Sequence, residues 1–316
     1  MNKLIEKIRL ASTANAIHAL STEEGQNKVF ESFKEIPDDK LNVLGLYSGI
    51  KEKHLSIFRS ILRNEENEFT HSLAKFDYKL TTGDIILVTG KSSAAKALVI
   101  SQKTFYLKAR SSHVVVVHAD HLCIDAMPKD GVSLRDISEV MDDVEDDWRV
   151  IRFKELTEDC EEKIMKSCVF YLRQPYKILP KRKPAKRYSY CSELARKVFI
   201  DSGVANTKIP NVRIIKPCDF DKLADKDDKW IDVTDSVKPY IDFCIEYEDI
   251  LNYLSRSVIN GLNLNRSRYE ERKDVMKEIC KYEAKGLISS ATTSKFFEEV
   301  KKIEAGLNFK FWDTNK

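Results

Sequence analysis

Ser112-His113-Val114-Val115-Val116-Val117 and Tyr188-Ser189-Tyr190-Cys191-Ser192-Glu193-Leu194 are the two stretches on which the fold is decided. The first is a histidine leading into an apolar run of strand length. The second, about eighty residues further on, is a cysteine opening a helical pattern. A histidine on a strand facing a cysteine at a helix N-terminus is the minimal equipment for thiolate nucleophilic catalysis.

Reading outward, Thr82-Gly83-Asp84 is a turn signal, and Ile85-Ile86-Leu87-Val88 reads as a buried strand. Ala94 to Leu107 reads as a helix and a loop. Residues 113–117 form a second strand, Leu122 to Ala126 a third after a short turn, and Arg149 to Phe153 a fourth. Val132 to Val140 is expected to be a connecting segment. Residues 157–173 read as a helix with Ile164, Cys168 and Leu172 on one face. A helix from Cys191 to about Ile200 ends at Asp201-Ser202-Gly203, with Gly203 as a left-handed cap. In this reading the strands precede the nucleophile. The expected organisation is a helical N-terminal arm (1–77), a core mixing helix and strand (78–245) and a helical C-terminal arm (246–316). Leu4, Ile5, Ile8, Leu10 and Ala14, and later Val29, Phe30 and Phe33, carry helical spacing in the first arm, which holds no chemical motif. The arm reads as a prodomain, cap or partner-binding module.

Bulk composition sets the bounds. The 316 residues are 42% hydrophobic and 33% charged, with a net charge of +3, too small to imply nucleic acid as a partner. No apolar run approaches the roughly 18 residues that cross a bilayer. The first twenty residues carry Glu6 and Arg9 inside the stretch and read as an amphipathic helix, not a secretion signal. A cytoplasmic location is expected, with delivery as an effector left open. Seven cysteines without a CxxC point to free thiols in a reducing compartment and away from disulfides or a structural zinc site. No metal or other cofactor is expected, and the oligomeric state is not readable.

Cys191 is the candidate nucleophile, because a helix N-terminus favours the thiolate and offers backbone donors to an oxyanion. Tyr188, Tyr190 and Ser192 are candidate oxyanion or substrate contacts. The bland alternative for Cys191 is a buried thiol packing as a small hydrophobe. His113 is the candidate base, with His118 and His121 as competitors in what reads as a solvated turn. Asp125 can approach His113 if the two strands pair as a hairpin, and would then fix the imidazole tautomer. Its alternative is an edge-strand aspartate in water; Asp120 and Asp84 are weaker candidates for the same role. Glu193 reads as a first-turn acid favourable to the helix dipole. Lys177 to Arg187 hold six basic residues and no acid. That loop, with Lys181, Arg182 and Lys183 at its centre, is either solvated or a lure for an anionic substrate or surface.

The ordered series Gly83-Asp84-Ile85-Ile86, Ser112-His113-Val114, Ile124-Asp125-Ala126, Gln174-Pro175-Tyr176 and Tyr190-Cys191-Ser192-Glu193-Leu194 resembles the circularly permuted papain-like cysteine hydrolases of the NlpC superfamily. The branch it resembles is the YiiX/YebB-like group, with a more distant likeness to lecithin–retinol acyltransferase. The resemblance spans roughly residues 80–200. It implies an α+β, permuted papain-like core whose antiparallel sheet packs on the nucleophile helix. It also implies Cys191 as nucleophile, His113 as base and Asp125 as the orienting residue. The family's third residue is often glutamate or histidine, and its glycine before Pro-Tyr and aspartate after Tyr are here Gln174 and Lys177. The expected activity is hydrolysis of an amide or ester through a thioester on Cys191, acting on a peptide, amide-linked or lipid substrate. The alternatives are a lipid-directed acyltransferase or lipase of the same fold, or a binding module that keeps the fold without catalysis.

Overall fold

A computed structural model of the chain describes residues 23–179 and 187–305. Its centre is one antiparallel sheet. The strands are β1 (Ile85–Val88), β2 (His113–Ala119), β3 (Leu122–Met127), β4 (Gly131–Asp136), β5 (Arg149–Phe153) and β6 (Trp230–Asp232), in the order β4-β3-β2-β1-β5-β6. β1 pairs with β2 through Ile85↔Val116 and Val88↔His113, and with β5 through Ile85↔Ile151. β2 and β3 form the expected hairpin, with Val116 opposite Ile124. The fold is α+β, as the sequence implied.

Helices cover both faces of the sheet, which is why β1 and β2 read as unbroken apolar runs and not as alternating ones. Ile85 and Leu87, with Val114 and Val116, face a core shared with helices Glu158–Tyr171 and Cys191–Asp201. Ile86 and Val88, with Val115 and Val117, face a second core. That second core is filled from the N-terminal side by Leu41, Ile57, Phe58 and Phe69, and from the C-terminal side by Val237, Tyr240, Ile241 and Ile250. All four β1 side chains are at most 2% exposed. Burying an aliphatic side chain contributes roughly 1.5–3 kcal/mol, so this strand is a major anchor of both layers.

Two strands were missed at the sequence level. Val132 to Val140 is not a connector: residues 131–136 form the edge strand β4, and Ile137–Met141 a short helix. Val132 and Leu134 alternate inward while Ser133 and Arg135 are half-buried, the period-2 signature of an edge strand. β6 follows the helix Cys191–Asp201 along the chain and is only three residues long. The predicted turn at Gly83 and the left-handed Gly203 are both present, at φ +87° and +69°.

Gly131 makes the site possible. Its φ is +72°, and a Cβ there would lie 2.3 Å from the Gln174 carbonyl oxygen. The glycine lets the 173–174 segment lie against β4, with Val132 N–H donating to Gln174 O at 2.9 Å and Arg173 N–H to Val132 O at 2.9 Å.

Candidate active site

The helix Cys191–Asp201 begins abruptly. Tyr190 is its N-cap, in extended conformation and without a side-chain cap bond, and the chain turns helical at Cys191. The first helical hydrogen bond is Leu194 N–H to Tyr190 O at 2.8 Å. The amides before Leu194 therefore have no partner within the helix, and the positive end of the helix dipole sits at the thiol.

Buried polar groups hold this helix start. Ser189 Oγ donates to Gln174 Oε1 at 2.8 Å, and Lys197 Nζ donates to the same oxygen at 2.7 Å and to Tyr188 O at 3.1 Å. Lys197 also lies 3.9 Å over the Tyr171 ring. Its side chain is fully buried, and desolvation lowers its pKa to about 7 against the pull of Glu193 and Asp201. Glu193 is not a solvated first-turn acid. It is 3% exposed and paired with buried Arg196. The Tyr190 hydroxyl accepts from Ile215 N–H at 3.1 Å, which ties the 207–215 loop to the helix start.

His113 opens β2, and its imidazole meets both partners the sequence assigned to it. Nε2 donates to Asp125 Oδ2 at 2.9 Å. That leaves Nδ1 as the ring nitrogen for the sulfur. Burial works against charge on both His113 and Cys191, but their mutual interaction outweighs it. The His113 pKa rises to about 10 through the Cys191 charge and the hydrogen bonds that His113 donates to Asp125 and Cys191. The Cys191 pKa is lowered, despite burial, by the His113 charge and by hydrogen bonds from His113, the Ser192 hydroxyl and the Val114 backbone N–H. Each charge favours the other, so the interaction works toward the thiolate–imidazolium form of the pair. Ser192 Oγ is 3.8 Å from Cys191 Sγ. Cys191 is 7% exposed and the His113 side chain 18%, so the pair is sheltered but reachable.

Asp125 is 1% exposed, an interior carboxylate and not an edge-strand aspartate in water. Burial raises its pKa, but His113 and Arg135 prevail and hold it below the ordinary value. Arg135 Nη1 donates to the same Oδ2 at 2.9 Å. Arg135 escaped the sequence reading because its strand did: only the β3–β4 register, with Cys123 opposite Arg135 and Asp125 opposite Ser133, places it one diagonal from Asp125. Tyr176 is the other addition. It bridges to Ser189, and its phenol is pushed up to about 12 by burial and by the Cys191 charge, which places it in the field of the thiolate.

The competitors are engaged elsewhere. His118 is not in a solvated turn: it is 6% exposed, and burial lowers its pKa to about 4, so it is neutral. His121 lies 3.3 Å from Asp136. Asp84 accepts from Arg152 Nε and Nη2 at 2.8 and 2.7 Å, and Asp120 accepts from the Tyr240 hydroxyl. Tyr188 contributes its carbonyl to Lys197. Lys181, Arg182 and Lys183 lie outside the described residues. Among the described residues no group of three or more His, Cys, Asp or Glu side chains is arranged to hold a metal ion, and no helix is long and apolar enough to cross a membrane.

A histidine strand that precedes a cysteine helix along the chain, on one antiparallel sheet, has the order of a permuted papain-like core, and the class is that of the cysteine hydrolases. The family described as "Permuted papain-like amidase enzyme, YaeF/YiiX, C92 family" matches residues 79–247, more than half of the chain, and the chain belongs to it. The crystal structure of metalloprotein yiiX from Escherichia coli O157:H7 is similar at 22% identity over 40% of this chain and 67% of its own, with a TM-score of 0.34. No curated protein matches the chain.

Proposed function

We propose that this protein is an amidase working through a thioester on Cys191, with His113 as acid–base and Asp125 as the residue that orients it. The observation that carries the reading is the buried Cys191–His113–Asp125 series, in which His113 bonds Asp125 through Nε2 and the charges on sulfur and imidazole favour one another. In the first half-reaction the Cys191 thiolate attacks the carbonyl carbon and the carbonyl π pair moves to oxygen. The backbone amides of the first helical turn receive that oxyanion. The oxygen's pair returns, the C–N bond breaks, and Nδ1 of the His113 imidazolium gives its proton to the departing amine. In the second half-reaction neutral His113 takes a proton from water, the hydroxide oxygen attacks the thioester, and the C–S bond breaks to return the thiolate. The product is a carboxylic acid. Asp125 keeps Nε2–H occupied throughout, so only Nδ1 exchanges protons. Tyr176 and the Ser192 hydroxyl border the sulfur and contact the acyl group or its oxygen.

The test is labelling by a thiol-directed acylating probe at neutral pH, read by mass spectrometry. Wild type is expected to be modified at Cys191 in preference to the other six cysteines. His113→Ala should slow that labelling by orders of magnitude, and Cys191→Ala should abolish it. Equal labelling of Cys191 in wild type and His113→Ala would defeat the reading.

A further inference from the structure

Asp125 meets its two partners unevenly. His113 Nε2 and Arg135 Nη1 both donate to Oδ2, each at 2.9 Å, while Oδ1 is buried and accepts no hydrogen bond. The donors come from the two strands that flank β3, His113 from β2 and Arg135 from β4. A carboxylate held by one donor can swing about that bond, and a second donor from the other side removes the freedom. Arg135 is held in turn, because Nη2 donates to the carbonyl oxygen of Glu139 in helix Ile137–Met141. Its side chain is 25% exposed against 0% for that of Asp125, so the guanidinium stands between the buried carboxylate and the surface.

Counting charges shows what a cation does there. With Cys191 as thiolate and His113 as imidazolium, the series holds two anions and one cation, and Arg135 makes the number of each sign equal. Once Cys191 is acylated its sulfur is neutral, and His113 has passed its proton to the departing amine. Asp125 is then an anion beside a neutral imidazole. A buried carboxylate without a counter-ion is strongly disfavoured, and Arg135 is the cation that remains.

The other groups on this side of the sheet are engaged or neutral. Asp136 accepts from Ser255 Oγ at 2.9 Å and lies 3.3 Å from His121. Glu139 is half exposed, with its carboxylate 3.9 Å from Arg135 Nε. On helix Glu248–Ala284, Glu248 pairs with Lys51, Asp249 bonds to His54, and Arg256 donates to the Ser48 carbonyl. Burial pushes the Cys123 and Cys244 thiols up, so both stay protonated. Among the described residues, His113 and Arg135 are the cations paired with Asp125.

We infer that Arg135 is a positioning residue for the reaction proposed above: it fixes the Asp125 carboxylate and balances its charge while His113 is neutral in the acyl-enzyme. The inference rests on the catalytic reading and adds the residue that keeps His113 ready to give its proton away. Arg135 carries the same charge as the imidazolium and draws on the oxygen that His113 uses, so its loss makes His113 hold its proton to higher pH.

Iodoacetamide alkylation of Cys191 in the full chain, followed by mass spectrometry from neutral to strongly basic pH, reads the step at which His113 deprotonates. Wild type is expected to show that step near about 10. Arg135→Met, which keeps the apolar stem, should move it up by about one unit. Arg135→Gln keeps a donor without the charge, should give the same shift, and serves where the methionine variant does not fold. Arg135→Lys should return the step most of the way to wild type. A role in packing alone would lower the thermal midpoint and leave the step in place. A step unmoved in the neutral variants would overturn the inference and leave the catalytic reading standing, and so would a lysine variant that behaves like methionine. A wild-type Cys191 that titrates once, as an ordinary thiol, would defeat the catalytic reading and the inference with it.

Discussion

Asp125→Asn removes one charge from the site and almost nothing else. His113 Nε2 and Arg135 Nη1 both donate to the same oxygen, Oδ2, at 2.9 Å. The asparagine carbonyl can occupy that position and accept both bonds, while its amide takes the place of Oδ1, which has no hydrogen-bond partner. A buried hydrogen bond to a charged group contributes roughly 1.5–3 kcal/mol. The bond is kept in the variant but loses its charge, and at 1.36 kcal/mol per unit that loss lowers the His113 pKa by about one to two units from its present value of about 10. Arg135, no longer balanced by a carboxylate, pushes in the same direction. Cys191 then loses part of the imidazolium charge that holds it down, and its pKa rises. The thiolate–imidazolium window narrows from both ends. The assay is the rate of iodoacetamide alkylation at Cys191 from acidic to strongly basic pH, followed by mass spectrometry, with exposed Cys280 as an internal reference. Wild type should react fast well below the ordinary thiol range of about 8.5 and change again as His113 deprotonates. The variant should need a higher pH for the first rise and show the second change about one to two units earlier. A variant profile that overlays wild type, or a wild-type Cys191 that titrates in one step with an ordinary thiol, would refute the ion pair.

Amide hydrolysis itself should follow a bell in kcat/KM, rising as the lowered Cys191 ionises and falling as His113 loses its proton near about 10; a rate that keeps rising through that range would count against His113 as acid. Arg152→Met strands the buried Asp84 carboxylate and should cost about 3–5 kcal/mol, measured by urea unfolding, with Cys191 labelling retained in the folded fraction. Lys197→Met leaves Gln174 Oε1 and the Tyr188 carbonyl short of a donor. It is expected to lower stability by about 1–3 kcal/mol and to slow Cys191 labelling, since the turn before the nucleophile loosens; calorimetry with the labelling assay separates the two effects. Gly131→Ala combines a left-handed backbone with a Cβ 2.3 Å from Gln174 O and should destabilise by about 2 kcal/mol or more by urea titration; an unchanged midpoint would show that the 173–174 segment yields freely.

What the sequence disclosed about the fold was set by how strongly each element is buried. β1, β2 and β5 lie inside the sheet or next to its centre, and their apolar runs are legible because both faces need hydrophobic cover. β4 and β6 lie at its edges, where burial is one-sided or short. Gly131-Val132-Ser133-Leu134-Arg135-Asp136 carries only two inward aliphatic residues, and the run merges at once into a helix that reads as part of the same connector. The second face was hidden for a different reason. Helical spacing identified the N-terminal segment, but not that Phe58 and Phe69 would be buried in one core with Tyr240 and Ile241 from the other side of the chain. Periodicity reports that a face is apolar and not what it meets.

The candidate site divides along the same line. Cys191 and His113 were legible because each sits at the first residue of its element, where local pattern marks a terminus. Asp125 followed from one hairpin. Arg135, Tyr176 and Lys197 were not legible, because each acts through a contact that exists only after another element has been placed: Arg135 through the β3–β4 register, Tyr176 through its bridge to Ser189, Lys197 through Gln174. Gln174 occupies the place where the resembled pattern carries glycine before Pro-Tyr. Its Oε1 accepts from both Ser189 and Lys197, and its backbone oxygen sits against Gly131. The departure from the pattern is therefore a structural replacement: this chain secures the turn before the nucleophile with a buried amide and a buried amine. It follows that the geometry at Cys191 depends on Lys197 and Gln174 together. The double variant Gln174→Gly with Lys197→Met should lose less than the sum of the two single losses, because the shared hydrogen bond is counted in both. Strict additivity in a double-mutant cycle, read by urea unfolding, would show that the two residues act separately.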